Sequence, residues 1–188
     1  MRLLLGLGNP GEQYRDTRHN VGFRVIDELA RRWQIPVDRL ECNSLAGQKT
    51  GEGDDILLVK PQTYMNRSGY AARCLAERHG LDPAAVLVVY DEVNLPLGKL
   101  RLRRSGSPAG HRGLESIIEN LRTSEIPRLR LGVAPEGGVT YEDLADFVLA
   151  PFAPEELEAV EEMVRRAADA CEVWVREGVE AAMRGFNG

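Results

Sequence analysis

Residues 2–22 read RLLLGLGNPGEQYRDTRHNVG, and the first part of this segment predicts a buried strand that ends in a glycine turn. The apolar run at residues 2–8 has the length of a strand, and its glycines let the backbone turn sharply. The polar loop that follows carries His19, which has no apolar stripe around it. A strand, a glycine turn and a polar loop with a histidine together are typical of an active site.

The same glycines match the dinucleotide-binding pattern G-x-G-x-x-G, but the residues behind them do not suit that fold. A nucleotide-binding fold needs the third glycine in an opening helix and an acidic residue at the end of a second strand. Here Pro10 favours a turn, and the next apolar helix begins only near Val21. We therefore predict no nucleotide cofactor, and we expect the glycines to present Asn9.

Length and composition predict one globular domain over residues 1–188. The chain has 188 residues, of which 43% are hydrophobic and 28% charged, as in ordinary soluble domains. No apolar run is long enough to cross a membrane, and the first residues are too few for a signal peptide. We expect a cytoplasmic protein that does not associate with membranes.

The cysteines and histidines show no spacing typical of metal sites. Cys42, Cys74 and Cys171 form no C-x-x-C pair, and their odd number argues against a disulfide framework. We expect them to be buried as small apolar residues. The three histidines lack zinc spacing, so we predict no structural metal, and we interpret His79 as a partner of a helix dipole.

Charge is distributed unevenly along the chain. The net charge of −5 argues against a nucleic-acid partner, yet residues 99–112 contain five basic residues and no acid. A local basic surface can bind phosphates while the whole protein stays acidic. An edge strand protected by charge explains the same residues equally well, so the sequence leaves both interpretations open.

Periodicity predicts strands that alternate with helices. Behind Asn20, a candidate N-cap, residues 21–33 hold apolar side chains at helical spacing. Residues 42–50 and 56–60 predict a hairpin, and the apolar run at 86–90 indicates a central buried strand. Further strands are predicted at 2–8, 100–104 and 128–134, and further helices at 68–79, 111–121 and 141–149.

A long amphipathic helix is predicted after Pro154, because apolar residues recur at helical spacing from Leu157 to Trp174. We expect this apolar stripe to pack on the sheet. Strands alternate with helices while one strand pair forms a hairpin. The sequence therefore predicts a single-domain α/β fold with a mixed central β-sheet flanked by helices.

Polar residues follow three of the predicted strands. Asn9 follows the first strand, Asn66 the strand at 56–60, and Asp91 the strand at 86–90. Ligand sites in open α/β sheets gather beyond the carboxyl ends of parallel strands, so we expect these side chains to converge near His19. Taken singly, each of the three is better explained as a turn or capping residue.

His19 and Asp91 together indicate a general base. A carboxylate beside a histidine fixes its tautomer and stabilises the imidazolium. The chain contains no Gly-x-Ser-x-Gly motif, and no serine or cysteine stands out as a nucleophile. The base would therefore activate water directly, while asparagine amides hold a carbonyl group or the water.

Four motifs resemble those of the bacterial peptidyl-tRNA hydrolase family, and the resemblance extends over essentially the whole chain. They are GLGNPG at 6–11, TRHN-x-G at 17–22, KPQTYMN-x-SG at 60–69 and DEVNLP at 91–96. The resemblance implies a metal-free hydrolase that cleaves the ester between a peptide and the 3′ end of tRNA. It would recycle peptidyl-tRNA from stalled ribosomes in the cytoplasm, as a monomer without an obligate protein partner.

The resemblance also implies roles for individual residues. His19 would deprotonate water, Asp91 would keep His19 basic, and Asn9 would grip the peptide backbone and so select N-blocked substrates. Contacts with the tRNA end and the substrate are implied for Tyr14, Tyr64, Met65 and Asn66. A clamp on the tRNA 5′ phosphate is implied for Arg103 and Arg130, in agreement with the local basic charge.

The chain departs from the family at residues 109–113, which read AGHRG where the family usually reads GGHNG. Arg112 thus replaces an asparagine that normally contacts substrate and water. Arginine lacks the amide acceptor but offers a fork that binds phosphate. We expect Arg112 to contact tRNA, and the preceding SGSPA stretch at 105–109 to stiffen the loop.

The main alternative to an enzyme is a non-catalytic RNA-binding relative, such as the plant organellar intron-splicing factor on the same scaffold. Such a protein could retain Asn9, His19 and Asp91. An organellar version should carry a transit peptide, whereas this sequence begins at the first predicted strand. We therefore favour the esterase.

Overall fold

Seven strands form one mixed β-sheet in the computed structural model, which describes residues 1–188. They are β1 (Arg2–Gly6), β2 (Arg39–Glu41), β3 (Ser44–Lys49), β4 (Ile56–Pro61), β5 (Val86–Pro96), β6 (Leu100–Arg103) and β7 (Arg128–Ala134). Their spatial order is β2-β3-β4-β1-β5-β7-β6. The neighbours among β4, β1, β5 and β7 are parallel, and the other pairs are antiparallel. The predicted mixed sheet and the predicted β3–β4 hairpin are confirmed.

Helices cover both faces of the sheet. They are α1 (Val21–Trp33), α2 (Ser68–His79), α3 (Arg112–Leu121), α4 (Leu144–Val148), α5 (Leu157–Glu177) and α6 (Val179–Phe186). Side chains alternate along β1, so Leu4 joins the layer under α1, α5 and α6, whereas Leu3 and Leu5 join the layer under α2 and α3. The predicted stripe of the long C-terminal helix packs in the first layer, where Trp174 is buried. None of these helices is both long and apolar enough to span a membrane.

Strand β5 is longer than the apolar run predicted, and this changes the position of Asp91. The strand continues to Pro96 because its polar second half still pairs with β7, where Asp91 lies opposite Leu131 and Glu92 opposite Gly132. Asp91 therefore lies inside the strand, whereas the sequence placed it just after the strand. Hydrophobicity alone could not show that a polar segment remains hydrogen-bonded to a buried neighbour.

The expectation that all three cysteines are free is wrong. Cys42 and Cys74 form a disulfide with a Cα–Cα distance of 5.8 Å, and only Cys171 is a free, buried cysteine. The short strand β2, which the sequence did not predict, ends in a tight turn that places Cys42 against α2. In the same region His79 Nε2 lies 2.6 Å from Glu41 Oε1, so this histidine has a carboxylate partner besides the helix dipole.

Gly22 lets α1 approach the sheet closely enough to fix the loop before it. A Cβ atom at this position would lie 2.4 Å from the carbonyl oxygen of Val89 and 2.7 Å from the backbone nitrogen of Leu7. Both neighbours are backbone atoms of the sheet region, which have no rotamer to relieve the contact. The short turn Arg18–Asn20 is thereby held against the carboxyl ends of β1 and β5.

We expect Gly22→Ala to destabilise the protein by about 1–3 kcal/mol, because the methyl group forces α1 away from the sheet. The free energy of unfolding in urea measures this effect. The control is Gly185→Ala in α6, where a Cβ meets no atom within 4 Å. That substitution should be neutral or stabilising, since alanine favours a helix. Equal effects of the two substitutions would contradict the role of close backbone contact.

Candidate active site

The predicted site residues gather at the carboxyl ends of the parallel strands. Asn9 lies in the turn behind β1, His19 lies in the turn that precedes α1, and Asp91 lies on β5. Met65 begins the short turn behind β4 and contacts Asn9. Asn66 follows in the same turn and is exposed. The strand order accounts for this convergence, because β4, β1 and β5 are adjacent and parallel.

His19 and Asp91 form a buried acid–histidine pair. The Nδ1 atom of His19 lies 2.8 Å from Oδ2 and 3.0 Å from Oδ1 of Asp91, whose residue is 1% exposed. An ionised carboxylate only accepts hydrogen bonds, so Nδ1 carries the proton and donates it to Asp91. Nε2 of neutral His19 is therefore unprotonated and available as a base.

Electrostatics favour the charged forms of both partners. Burial lowers the pKa of His19, but the charge of Asp91 and its hydrogen bond outweigh burial, so this pKa lies above its usual value. Burial alone would raise the pKa of Asp91, whereas the two neighbouring histidines hold it well below its usual range. Asp91 therefore stays ionised and stabilises the imidazolium that forms when His19 accepts a proton.

His111 is the site residue that sequence reasoning missed. Its Nε2 lies 2.9 Å from Asp91 Oδ1, while its Nδ1 accepts a hydrogen bond from the backbone N–H of Leu114 at 3.3 Å. His111 is thus the N-cap of α3, and the cap fixes the tautomer that donates to Asp91 through Nε2. The histidines show no metal-ligand spacing in the sequence, and the nineteen residues between Asp91 and His111 conceal their contact.

The ligand atoms of His19, Asp91 and His111 lie within 4.8 Å of one another, a grouping that can in principle hold a metal ion. The two nitrogens that face Asp91 are, however, already matched to its oxygens at hydrogen-bond distances. These hydrogen bonds explain the cluster fully, so we assign no metal to it.

Asn9 presents a free amide group because its other polar atoms are engaged. Its Oδ1 accepts the backbone N–H of Met65 at 2.7 Å, which leaves Nδ2 without a partner in the protein. Asn20 holds the backbone of Asn9 at both ends, accepting its N–H at 2.8 Å and donating to its carbonyl at 2.9 Å. Asn20 is the N-cap residue of α1, as predicted, but its side chain makes no capping hydrogen bond because it bonds the backbone of Asn9 instead.

Arg18 secures the loop of His19 from the other side. Its guanidinium donates to the carbonyl of Phe147 at 3.2 Å and to Glu156 at 3.0 Å, and it lies over the ring of Phe147. The backbone N–H of Arg18 donates to the carbonyl of Ala150 at 3.1 Å. The segment that contains α4 is therefore tied directly to the residue before the histidine.

Two aromatic side chains lie beside Asn9 and Met65. Tyr14 and Tyr64 form an edge-to-face pair with 6.5 Å between ring centroids, and Tyr64 is 53% exposed. The backbone of Tyr64 has a φ angle of 64°, a conformation that costs free energy for a non-glycine residue. Such strain is typical of functional positions, and exposed aromatic rings offer surfaces on which nucleic-acid bases stack.

Arginines of β6 and β7 form a basic surface on the sheet. The leucines of β6 and β7 all enter the core layer under α5, so alternation sends Arg101, Arg103, Arg128 and Arg130 to the opposite face. Arg103 is exposed, whereas Arg130 donates to Glu92 at 3.0 Å. Arg112 is the exposed first residue of α3, directly after His111.

Comparison with known proteins supports one family throughout. The model of the peptidyl-tRNA hydrolase family matches residues 3–188. The peptidyl-tRNA hydrolase of Synechococcus sp. (strain JA-3-3Ab) is 48% identical over 189 residues, covering 100% of this chain and 83% of that protein. That of Alkaliphilus oremlandii is 43% identical, with full coverage of both chains. The crystal structure of peptidyl-tRNA hydrolase from Acinetobacter baumannii superposes with a TM-score of 0.92 at 31% identity, covering 100% of this chain and 95% of that chain.

We expect Asp91→Asn to lower the pKa of His19. The neutral amide removes the charge that favours the imidazolium, while burial still disfavours it. The imidazolium of the wild type should therefore persist to higher pH than that of the variant. Since the chain has only three histidines, NMR titration of the ring protons can follow each of them.

The matched control is His79→Gln, which removes the pair of His79 with Glu41 and should leave the His19 titration unchanged. An unaltered pKa of His19 in Asp91→Asn would contradict electrostatic control of this histidine by Asp91.

Proposed function

Since the chain belongs to the peptidyl-tRNA hydrolase family, we propose that it cleaves its substrate with His19 as the general base. The substrate is the ester between a peptide, or an N-blocked amino acid, and the 3′ end of tRNA. One observation carries the proposal: His19 donates through Nδ1 to buried Asp91, which leaves its Nε2 without a partner in the protein. We also propose that residues 1–188 act as one catalytic domain.

In this mechanism the Nε2 atom of His19 removes a proton from water as the water oxygen attacks the ester carbonyl carbon. Asp91 stabilises the imidazolium that results. The free Nδ2 of Asn9 donates to a carbonyl oxygen of the substrate. When the tetrahedral intermediate collapses, the carbon–oxygen bond to the ribose breaks, and the ribose oxygen takes the proton back from His19. The products are a free peptide carboxyl group and tRNA.

Contacts around the base support a tRNA substrate. We assign the tRNA 3′ end to Tyr14, Tyr64, Met65 and Asn66, because the exposed ring of Tyr64 can stack a base and the backbone of Met65 contacts Asn9. Asn9 also contacts the peptide backbone in this proposal, so it selects N-blocked substrates.

Phosphate contacts are assigned to the basic surface. Arg103 and Arg130 clamp the 5′ phosphate, which lies at the same end of the tRNA as the ester. Arg112 binds a nearby phosphate in place of the asparagine contact of the family. The alternative interpretation of these arginines is that their charge protects an edge strand. At β6, however, Asn187 covers the edge, because its side chain forms hydrogen bonds with both the N–H and the carbonyl of Leu102. Arg103, which makes no ion pair, is therefore free for binding.

The cellular setting follows from the substrate. Peptidyl-tRNA is the proposed partner, and the protein acts in the cytoplasm, where stalled ribosomes release it. Every residue assigned to the reaction belongs to this chain, so we propose that a monomer is active without an obligate protein partner.

We expect His19→Ala to reduce hydrolysis of N-acetyl-aminoacyl-tRNA by about 10²- to 10⁴-fold, the usual contribution of a general base. Release of tRNA from the radiolabelled ester measures the reaction, and tRNA binding should persist. Unblocked aminoacyl-tRNA should remain intact with the wild-type protein, and His79→Ala should retain activity. Undiminished turnover in His19→Ala would exclude this base. A folded wild-type protein that binds tRNA without hydrolysis would instead be a non-catalytic relative.

We expect Arg103→Ala to weaken tRNA binding and to reduce the slope of log affinity against log salt concentration by about 1, because one phosphate contact is lost. Arg104→Ala is the matched control. This adjacent arginine pairs with Glu180 of α6, on the other side of the strand. Its removal changes the net charge equally and should leave the slope close to that of the wild type. Identical slopes in the two variants would place the clamp elsewhere.

A further inference from the structure

The turn that carries His19 is anchored by side chains on both sides of this residue. After His19, the side chain of Asn20 accepts the N–H of Asn9 at 2.8 Å and donates to its carbonyl at 2.9 Å. Before His19, the side chain of Arg18 contacts the segment at residues 147–156. His19 thus lies between two anchors, one on the turn behind β1 and one on the C-terminal part of the chain.

The guanidinium of Arg18 has partners in two places. Its Nη2 donates to Glu156 Oε1 at 3.0 Å, and its Nη1 donates to the carbonyl oxygen of Phe147 at 3.2 Å. The guanidinium carbon also lies 4.1 Å from the centroid of the Phe147 ring. The side chains of Arg18 and Glu156 are only 11% and 16% exposed, so salt screens this ion pair weakly. The planar fork of arginine presents its donors in fixed directions, which lets one side chain hold both partners.

Glu156 is the fixed end of the ion pair. Its Oε1 also accepts the backbone N–H of Ala153 at 2.8 Å, in the short turn that leads into α5. Helix α5 is packed in the core, where Val160 and Trp174 are buried. Helix α4, by contrast, has no buried residue. The carboxylate at the start of the well-packed helix therefore determines where Arg18 lies.

We propose that Arg18 is a positioning residue, whose guanidinium, held by Glu156, keeps Nδ1 of His19 within hydrogen-bond distance of Asp91. The guanidinium forms no hydrogen bond with either member of that pair, so it acts through the backbone of the turn. Such placement matters for the rate, because a displacement of about 1 Å can cost about 10²-fold. The consequence for catalysis rests on the proposed function, whereas the effect on the His19–Asp91 hydrogen bond does not.

Arg18→Met tests this role, since methionine keeps part of the apolar stem but cannot donate to Glu156 or Phe147. We expect kcat for N-acetyl-aminoacyl-tRNA to fall by about 10- to 100-fold. KM should stay close to that of the wild type, because Arg18 is not among the groups assigned to substrate binding. Arg18→Lys keeps the charge without the fork, so its kcat should lie between those of the wild type and Arg18→Met.

A proton NMR signal reports on the same hydrogen bond without any substrate. The Nδ1 proton of His19, which Asp91 accepts, should give a low-field resonance in the wild type. Nitrogen labelling of the rings distinguishes it from the Nε2 proton of His111, which Asp91 also accepts. In Arg18→Met the resonance of His19 should broaden or disappear, because a displaced ring lets its proton exchange with water.

Two further variants separate positioning from stability. Arg32→Met removes an arginine that also joins α1 to α5, since it donates to Glu28 at 2.9 Å and to Asp169 at 2.7 Å. This variant should melt at a lower temperature and retain the kcat and the resonance of the wild type. The double variant Arg18→Met/Glu156→Gln leaves no unpaired buried carboxylate, so it serves where Arg18→Met alone fails to fold. It should show the same loss of kcat.

The two readouts together decide the proposal. Wild-type kcat with an unchanged resonance in a folded Arg18 variant would overturn it, and so would an equal loss of kcat in Arg32→Met. A loss of kcat with an intact resonance would also overturn it, because Arg18 would then act on a group other than His19. An altered resonance with undiminished kcat would support the positioning of His19 and contradict its assignment as the base. If the wild type fails to hydrolyse the ester, the resonance alone decides.

Discussion

The buried carboxylate of Asp91 is the constraint on which the site depends. An ionised group with 1% exposure is tolerated only when hydrogen bonds and nearby positive charge compensate its lost hydration. Here the loop before α1 supplies His19 and the loop before α3 supplies His111. One side chain on β5 thus joins two loops that are far apart in the sequence, and their positions are fixed by the need to satisfy its charge.

The two histidines are not equivalent, because the backbone decides which proton each one carries. His111 receives the N–H of Leu114 on Nδ1 and so must donate through Nε2. His19 faces Asp91 with Nδ1, and its Nε2 is the only remaining unprotonated ring nitrogen at the carboxylate cluster. The helix cap at α3 therefore leaves a single unpaired ring nitrogen at this carboxylate, since it consumes the acceptor of the second histidine.

Much of the fold follows from local patterns, whereas the site depends on contacts that local patterns do not record. The apolar pattern predicted α1 and α5, which each bury one face, and the part of β5 that is buried on both faces. It did not predict the Cys42–Cys74 bond or the pairing of His111 with Asp91, since both join residues from separate elements. Asn20 illustrates the same point. Its position at the start of α1 favoured a capping hydrogen bond, but its side chain instead forms hydrogen bonds with the backbone of Asn9.

Side chains alternate along β5, so the carboxylate that binds the histidines and the carboxylate that binds Arg130 lie on opposite faces of the strand. Asp91 and Glu92 are consecutive residues, and their side chains leave opposite faces of the strand, one toward the histidines and the other toward Arg130. In the proposed function the 3′ ester and the 5′ phosphate lie at one end of the tRNA acceptor stem, so a single strand would present a group to each. Arg112 directly follows His111 and is exposed, and its side chain takes no part in the hydrogen bonds of Asp91. The residue at this position can therefore differ from the asparagine of the family while those hydrogen bonds stay intact.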